Sequence, residues 1–174
     1  MGSPLQESIQ LIIPVVSVFV SYFLGQRQSE KKYEREQAKL RYDSFYVPLF
    51  QFLYAGRMSE RSGSSLRFDA RSKLLDMFTH NIALLGPGLQ SCYPDLLAAY
   101  TAMLHFDSCE PDYKDAPDEF DRVFNRIEKY AIAESKELSR ALRLPSIAQT
   151  YENDLLRLRG SKPSQAKSKQ QPRS

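Results

Sequence analysis

Between Ile9 and Leu24 the chain is apolar on every face, and six basic residues, Arg27, Lys31, Lys32, Arg35, Lys39 and Arg41, follow at once. The only clearly polar side chain inside the segment is Gln10, while Ser17 and Ser21 are small hydroxyls that bond back to their own helix. A soluble helix keeps one face for water, and this one has none. Ser3, Pro4 and Gln6 read as N-cap, first helical residue and capping-box partner, so a helix is predicted from Pro4 to about Leu24. At ~1.5 Å per residue it spans ~31 Å, close to the ~30 Å hydrocarbon core of a bilayer. Pro14 removes one backbone bond and kinks the helix, which membrane helices tolerate.

A cleaved secretory signal fits this stretch less well. No Lys or Arg precedes the apolar run, and bulky Phe23 stands where cleavage after Gly25 wants a small residue. Myristoylation of Gly2 is disfavoured by Gln6, at a position where that signal wants Ser or Thr. The N-terminal flank offers only Glu7 and the free amine against the six basic residues behind. The positive-inside bias therefore predicts a single-pass protein of the cell membrane, with its N-terminus outside and the remainder cytoplasmic. Cys92 and Cys109 are then expected as thiols.

Glycine is scarce, at 7 of 174 residues, and β-branched alternation is absent beyond the apolar segment, so the fold is expected to be all-α. The organisation predicted is a transmembrane anchor over residues 1–25, a juxtamembrane helical stalk over 26–41, a bundle of four or five helices over 42–159, and a disordered basic tail over 160–174. The stalk is polar all round, with Lys32 and Glu36 at helical spacing. Tyr33, Leu40 and Val47 supply only half of a coiled-coil seam, which leaves homo-oligomerisation through the stalk as one option.

From Tyr42 the pattern becomes core-forming: Tyr42, Phe45, Tyr46, Leu49 and Leu53 share one helical face, with Pro48 expected to interrupt the helix. A second helix is predicted from about Leu66 to Leu85, with an inward stripe of Phe68, Leu75, Phe78, Ile82 and Leu85, ended by Gly86, Pro87 and Gly88. A third is predicted from Pro94 to His105, burying Leu96, Leu97, Tyr100 and Leu104. The longest is predicted from about Pro117 to Arg143, with Phe120, Val123, Phe124, Ile127, Tyr130, Ala131, Leu138 and Ala141 on one face. The last runs from about Ser146 to Leu158 and packs through Ile147, Tyr151, Leu155 and Leu158.

No motif specifies a reaction or a ligand. His80, Cys92, His105 and Cys109 are the soft metal donors, yet the cysteines flank opposite ends of one predicted helix, ~20 Å apart at ~1.5 Å per residue, so no metal is expected. The acidic stretch Asp107 to Asp121 lacks the central glycine of a calcium loop and is expected to be a solvated loop followed by a helix N-terminus, with Asp118, Glu119 and Asp121 favourably placed against the helix dipole. No phosphate-cradling loop or zinc-protease pair is present; the chain is read as a non-enzyme without a cofactor. Glu30, Glu34 and Glu36 interleave the basic flank, which argues against nucleic acid. Lys162, Lys167, Lys169 and Arg173 either solubilise the tail or draw it to anionic lipid at ~1 kcal/mol per basic residue.

Two charges stand out by position. Arg71 lies between Phe68 and Leu75 on a predicted inward stripe, and Glu134 lies between Ala131 and Leu138 on another. Either Arg71 snorkels while Glu134 reaches water, or the two form a buried ion pair. The favoured function is a membrane-anchored interaction or scaffolding module for a protein partner. A membrane-perturbing or defence-type effector acting through its anchor and a membrane-tethered enzyme are the alternatives.

Overall fold

The computed structural model describes residue 22, residues 25–57 and residues 62–160. The anchor segment and the tail after Gly160 lie outside the described residues. Among the described residues no helix is long and apolar enough to cross a membrane. Every regular element among them is helical, and none is a strand. The chain divides into two units between Lys39 and Leu40. In the first, residues 25–39 are helical and every side chain except Ala38 is exposed, as a solvated stalk requires. Lys32 and Glu36 lie 4.0 Å apart there, an exposed pair of little energetic weight.

The second unit is a helical bundle. It opens with a π-helical turn, Tyr42–Tyr46, that runs straight into α1, Val47–Arg57. Pro48 does not interrupt the helix as expected. The Val47 N–H reaches five residues back to the Tyr42 carbonyl, and this widened turn makes room for a proline that has no N–H to give. Tyr42, Phe45, Tyr46, Leu49 and Leu53 are all buried, as their spacing predicts, and Phe50 joins them. Phe45 meets Phe78 edge to face at 5.5 Å, and Tyr151 receives both Phe50 and Tyr54, at 5.4 and 5.0 Å. Aromatic pairs of this geometry add about 1 kcal/mol each beyond area burial.

The remaining helices are α2, Phe68–His80; α3, Pro87–Asp107; α4, Ala116–Leu142; and α5, Ile147–Gly160, with short 3-10 turns at Gly63–Ser65, Ile82–Leu84 and Pro111–Tyr113. α2 is shorter than predicted and rotated. It buries Arg71, Leu74 and Phe78, while Phe68 is 55% exposed and Ile82, beyond its end, 46%. Gly86, Pro87 and Gly88 do not close a helix but open one: Gly86 is the N-cap of α3 and Pro87 its first residue. Pro94 therefore falls inside α3, on an exposed side where the Gln90 carbonyl that loses its helical donor is open to solvent. α3 buries Leu89, Cys92, Leu96, Ala99 and Met103, leaving Leu97 45% exposed.

α4 packs chiefly on α3 and α5, and its inward face is largely the one read from sequence, with Ser135 and Ser139 added and Ala141 exposed. It ends in a Schellman turn. Arg143 takes the left-handed φ of 58°, its N–H bonds to Arg140, and the Leu144 N–H reaches Ser139. α5 buries Ala148, Tyr151 and Leu155. These faces close on one another within the second unit. A fragment of residues 40–160 is expected to unfold in one cooperative thermal transition, and Phe45→Ala to lower its stability by about 3–5 kcal/mol in urea titration. A non-cooperative melt would mean that the bundle needs something outside this unit.

Candidate functional site

Four backbone N–H groups at the start of any helix have no internal partner, and a side chain at the N-cap usually takes one or two of them. α3 begins with glycine, so it has no such side chain. Glu134, from the middle of α4, fills the role. Its Oε1 accepts from the Gly88 N–H at 2.8 Å and more distantly from Leu89 at 3.4 Å, and its Oε2 accepts from the Tyr46 hydroxyl at 2.6 Å. The Tyr46 oxygen in turn accepts from the Gly86 N–H at 3.2 Å. Three segments distant in sequence thus meet at one carboxylate, which also lies at the positive end of the α3 dipole.

Glycine is required on both sides of Pro87. A Cβ on Gly86 would sit 2.2 Å from Glu134 Oε2, and one on Gly88 would sit 2.7 Å from the Tyr130 ring. A residue that capped the helix itself would therefore displace the carboxylate. Burial, then the hydrogen bond and negative charge of Glu134, push the Tyr46 phenol well above its ordinary value, while the Gly86 N–H and Arg41 pull the other way. The anion site of this helix terminus is filled from within the protein.

The sequence pair Arg71 and Glu134 is not brought together. Arg71 does not snorkel: it is 5% exposed, and its Nη2 donates to Asp107 Oδ2 at 2.5 Å across α2 and α3. Its Nε and Nη1 are buried without a hydrogen-bond partner among the described residues. The two stripes point to different places because α2 is rotated and the α3 terminus stands against Glu134. Asp107, read from sequence as part of a solvated loop, and Asp121, read as a helix N-terminal charge, are both acceptors for other segments. Asp121 takes the Ser64 N–H at 2.6 Å and its hydroxyl at 3.1 Å, holding the turn at Gly63–Ser65.

Other titratable groups are paired in the same manner. The Tyr151 hydroxyl donates to buried Glu128 at 2.5 Å, Lys136 pairs with Glu152, and the Tyr42 hydroxyl donates to the Pro145 carbonyl at 3.1 Å. His80 is exposed, with Nδ1 2.9 Å from the Asp76 carbonyl oxygen. His105 stacks on Tyr113 and lies 2.8 Å from Glu110. Cys92 is buried, Cys109 is exposed, and both are free thiols. Among the described residues no group of three His, Cys, Asp or Glu side chains is placed to hold a metal.

The outer surface carries the other candidate. A groove of about 670 Å³ runs between α4 and α5, with Ile132, Leu155 and Leu156 as its apolar lining and Lys129, Lys136 and Glu152 among its polar groups. No known protein family, curated protein or solved structure matches this chain.

Glu134→Gln keeps hydrogen-bonding capacity but loses the charge, and is expected to cost about 1 kcal/mol in urea unfolding; Glu134→Ala, which orphans the Gly88 N–H and the phenol, about 3 kcal/mol. A Glu134→Gln variant as stable as the parent would show that the charge contributes nothing, and equal costs for the two variants would show that the charge carries the whole effect. A second expectation concerns alkali. Because the folded pKa of Tyr46 lies above its ordinary value of 10.0, the stability it confers is complete below that value and is lost as pH rises past it toward the folded pKa. Tyr46→Phe should be less stable than the parent at neutral pH and should lose less stability above pH 10, measured by denaturant titration at a series of pH values.

Proposed function

We propose that this protein is a membrane-anchored helical interaction module, its N-terminus outside and its bundle in the cytoplasm, that holds a protein partner at the bilayer. The reading is carried by one combination. An apolar segment with a basic C-terminal flank precedes a bundle whose interior charges are largely spoken for, yet whose outer faces present Phe68, Leu97 and Leu156 at 55, 45 and 60% exposure. Phe68 lies against Tyr100 with ring centroids 6.4 Å apart, one turn from Leu97, so this part of the exposed apolar surface is contiguous. An anchor raises the local concentration of such a module without any new contact.

Topology is tested through Cys109. Cys92 is fully buried and would stay silent whatever its compartment, whereas Cys109 is exposed. A membrane-impermeant maleimide is expected to spare Cys109 in intact cells and label it once the membrane is opened; labelling in intact cells reverses the orientation. Photo-crosslinkers placed at Phe68, Leu97 and Leu156 should yield discrete protein adducts in cells, and their absence at all three positions rejects the module. Exchange of residues 9–24 for an unrelated anchor should leave those adducts intact, whereas an effector acting through its anchor would lose its effect.

A further inference from the structure

The outward face of α4 carries Arg122, Arg126, Lys129, Lys136 and Arg140 at alternating three- and four-residue steps, with small Ala133 completing the row. The row runs ~27 Å at ~1.5 Å per residue. Glu137 is the one exposed acid on α4 between Arg122 and Arg140. Arg126 is paired with Asp95 and Lys136 with Glu152, but Arg122, Lys129 and Arg140 have no ion-pair partner among the described residues. Beside this basic ridge lies the groove between α4 and α5, into which Ile132 and the 60% exposed Leu156 project.

We propose that this groove docks an acidic amphipathic helix of a partner protein, its apolar stripe against Ile132 and Leu156 and its carboxylates along the basic ridge. The inference rests on the interaction-module reading and names the partner's chemistry. Charge complementarity decides the occupant. A helix pair with apolar side chains between its members accepts the apolar face of a third helix, and the cations along one rim, of which Arg122, Lys129 and Arg140 have no ion-pair partner among the described residues, select the sign of its flank. The chain's own tail has the wrong sign, with Lys162, Lys167, Lys169 and Arg173 and no apolar side chain beyond Ala166 after the helix. A bilayer surface is flat and does not enter a channel between helices. Nucleic acid presents no apolar stripe to lie against Ile132 and Leu156.

The probe is a fluorescein-labelled synthetic helix of about 18 residues, long enough for the ridge, with leucines along one face and glutamates on its flanks. It is titrated against the full chain in non-ionic detergent. Saturable binding is expected, weakened at least about ten-fold between about 0.05 and about 0.5 M salt and lost when the glutamates become lysines. Lys129→Glu and Leu156→Glu should each weaken it about ten-fold or more while leaving the thermal melt unchanged, and Lys129→Arg should retain it. No binding, equal binding of a scrambled peptide, or indifference to both groove variants overturns the proposal. So does peptide displacement by nanodiscs containing phosphatidylserine but not by phosphatidylcholine nanodiscs, which makes a membrane the occupant, or a dimer that Lys129→Glu dissolves, which makes it a second copy. Crosslinks from Phe68 or Leu97 in cells, together with no binding of the peptide to the parent protein, would reject the groove and leave the module standing.

Discussion

The bundle depends on a carboxylate capping a helix to which it does not belong. α3 starts on glycine, proline and glycine, none of which has a side chain able to satisfy its first N–H groups, and Glu134 supplies the acceptor from α4. Because Oε2 is simultaneously bound by Tyr46, the same carboxylate fixes the π-helical turn at the head of α1 against both. Charge-assisted bonds of this type are stronger than neutral ones, and one that joins three segments specifies their mutual placement as well as stabilising it. The two glycines follow from this arrangement: any Cβ there would occupy the volume of the Glu134 carboxylate or the Tyr130 ring.

The same logic recurs where tyrosines of the first helical segment cross the core. Tyr42 buries its ring and donates to the Pro145 carbonyl in the turn before α5, and half-buried Tyr54 reaches the Asp154 carboxylate on α5. Burial, followed by the charge and hydrogen bond of Asp154, also raises the Tyr54 pKa. Arg71 is a less complete case. It is held by Asp107 through one nitrogen while its other two nitrogens are buried without partners among the described residues. Loss of Asp107 would leave that guanidinium uncompensated, a change that typically costs about 3–5 kcal/mol.

A charge budget distributed in this way separates the interior from the surface. Inward carboxylates serve as caps and latches, and the unpaired cations of α4 lie on its outer face beside the α4–α5 groove. The exposed aromatic and leucine side chains of α2 and α3 and the basic ridge of α4 are separate features of that surface.

Helical periodicity in the sequence was enough to determine an all-helical domain, the buried face of Tyr42 to Leu53, most of the inward face of α4, and the exposed state of the stalk. These properties are local, since a spacing of three and four residues places side chains on one side of a helix whatever it packs against. Arg71 and Glu134 were legible as inward charges for the same reason. Their partners were not, because Asp107 and the Gly86–Gly88 terminus come near them only when α2 turns Phe68 outward and α3 begins seven residues before Pro94. The glycines around Pro87 signal a helix boundary without saying on which side the helix lies. Only the tertiary structure resolved that ambiguity, by bringing the Glu134 carboxylate to N–H groups that would otherwise be buried without an acceptor.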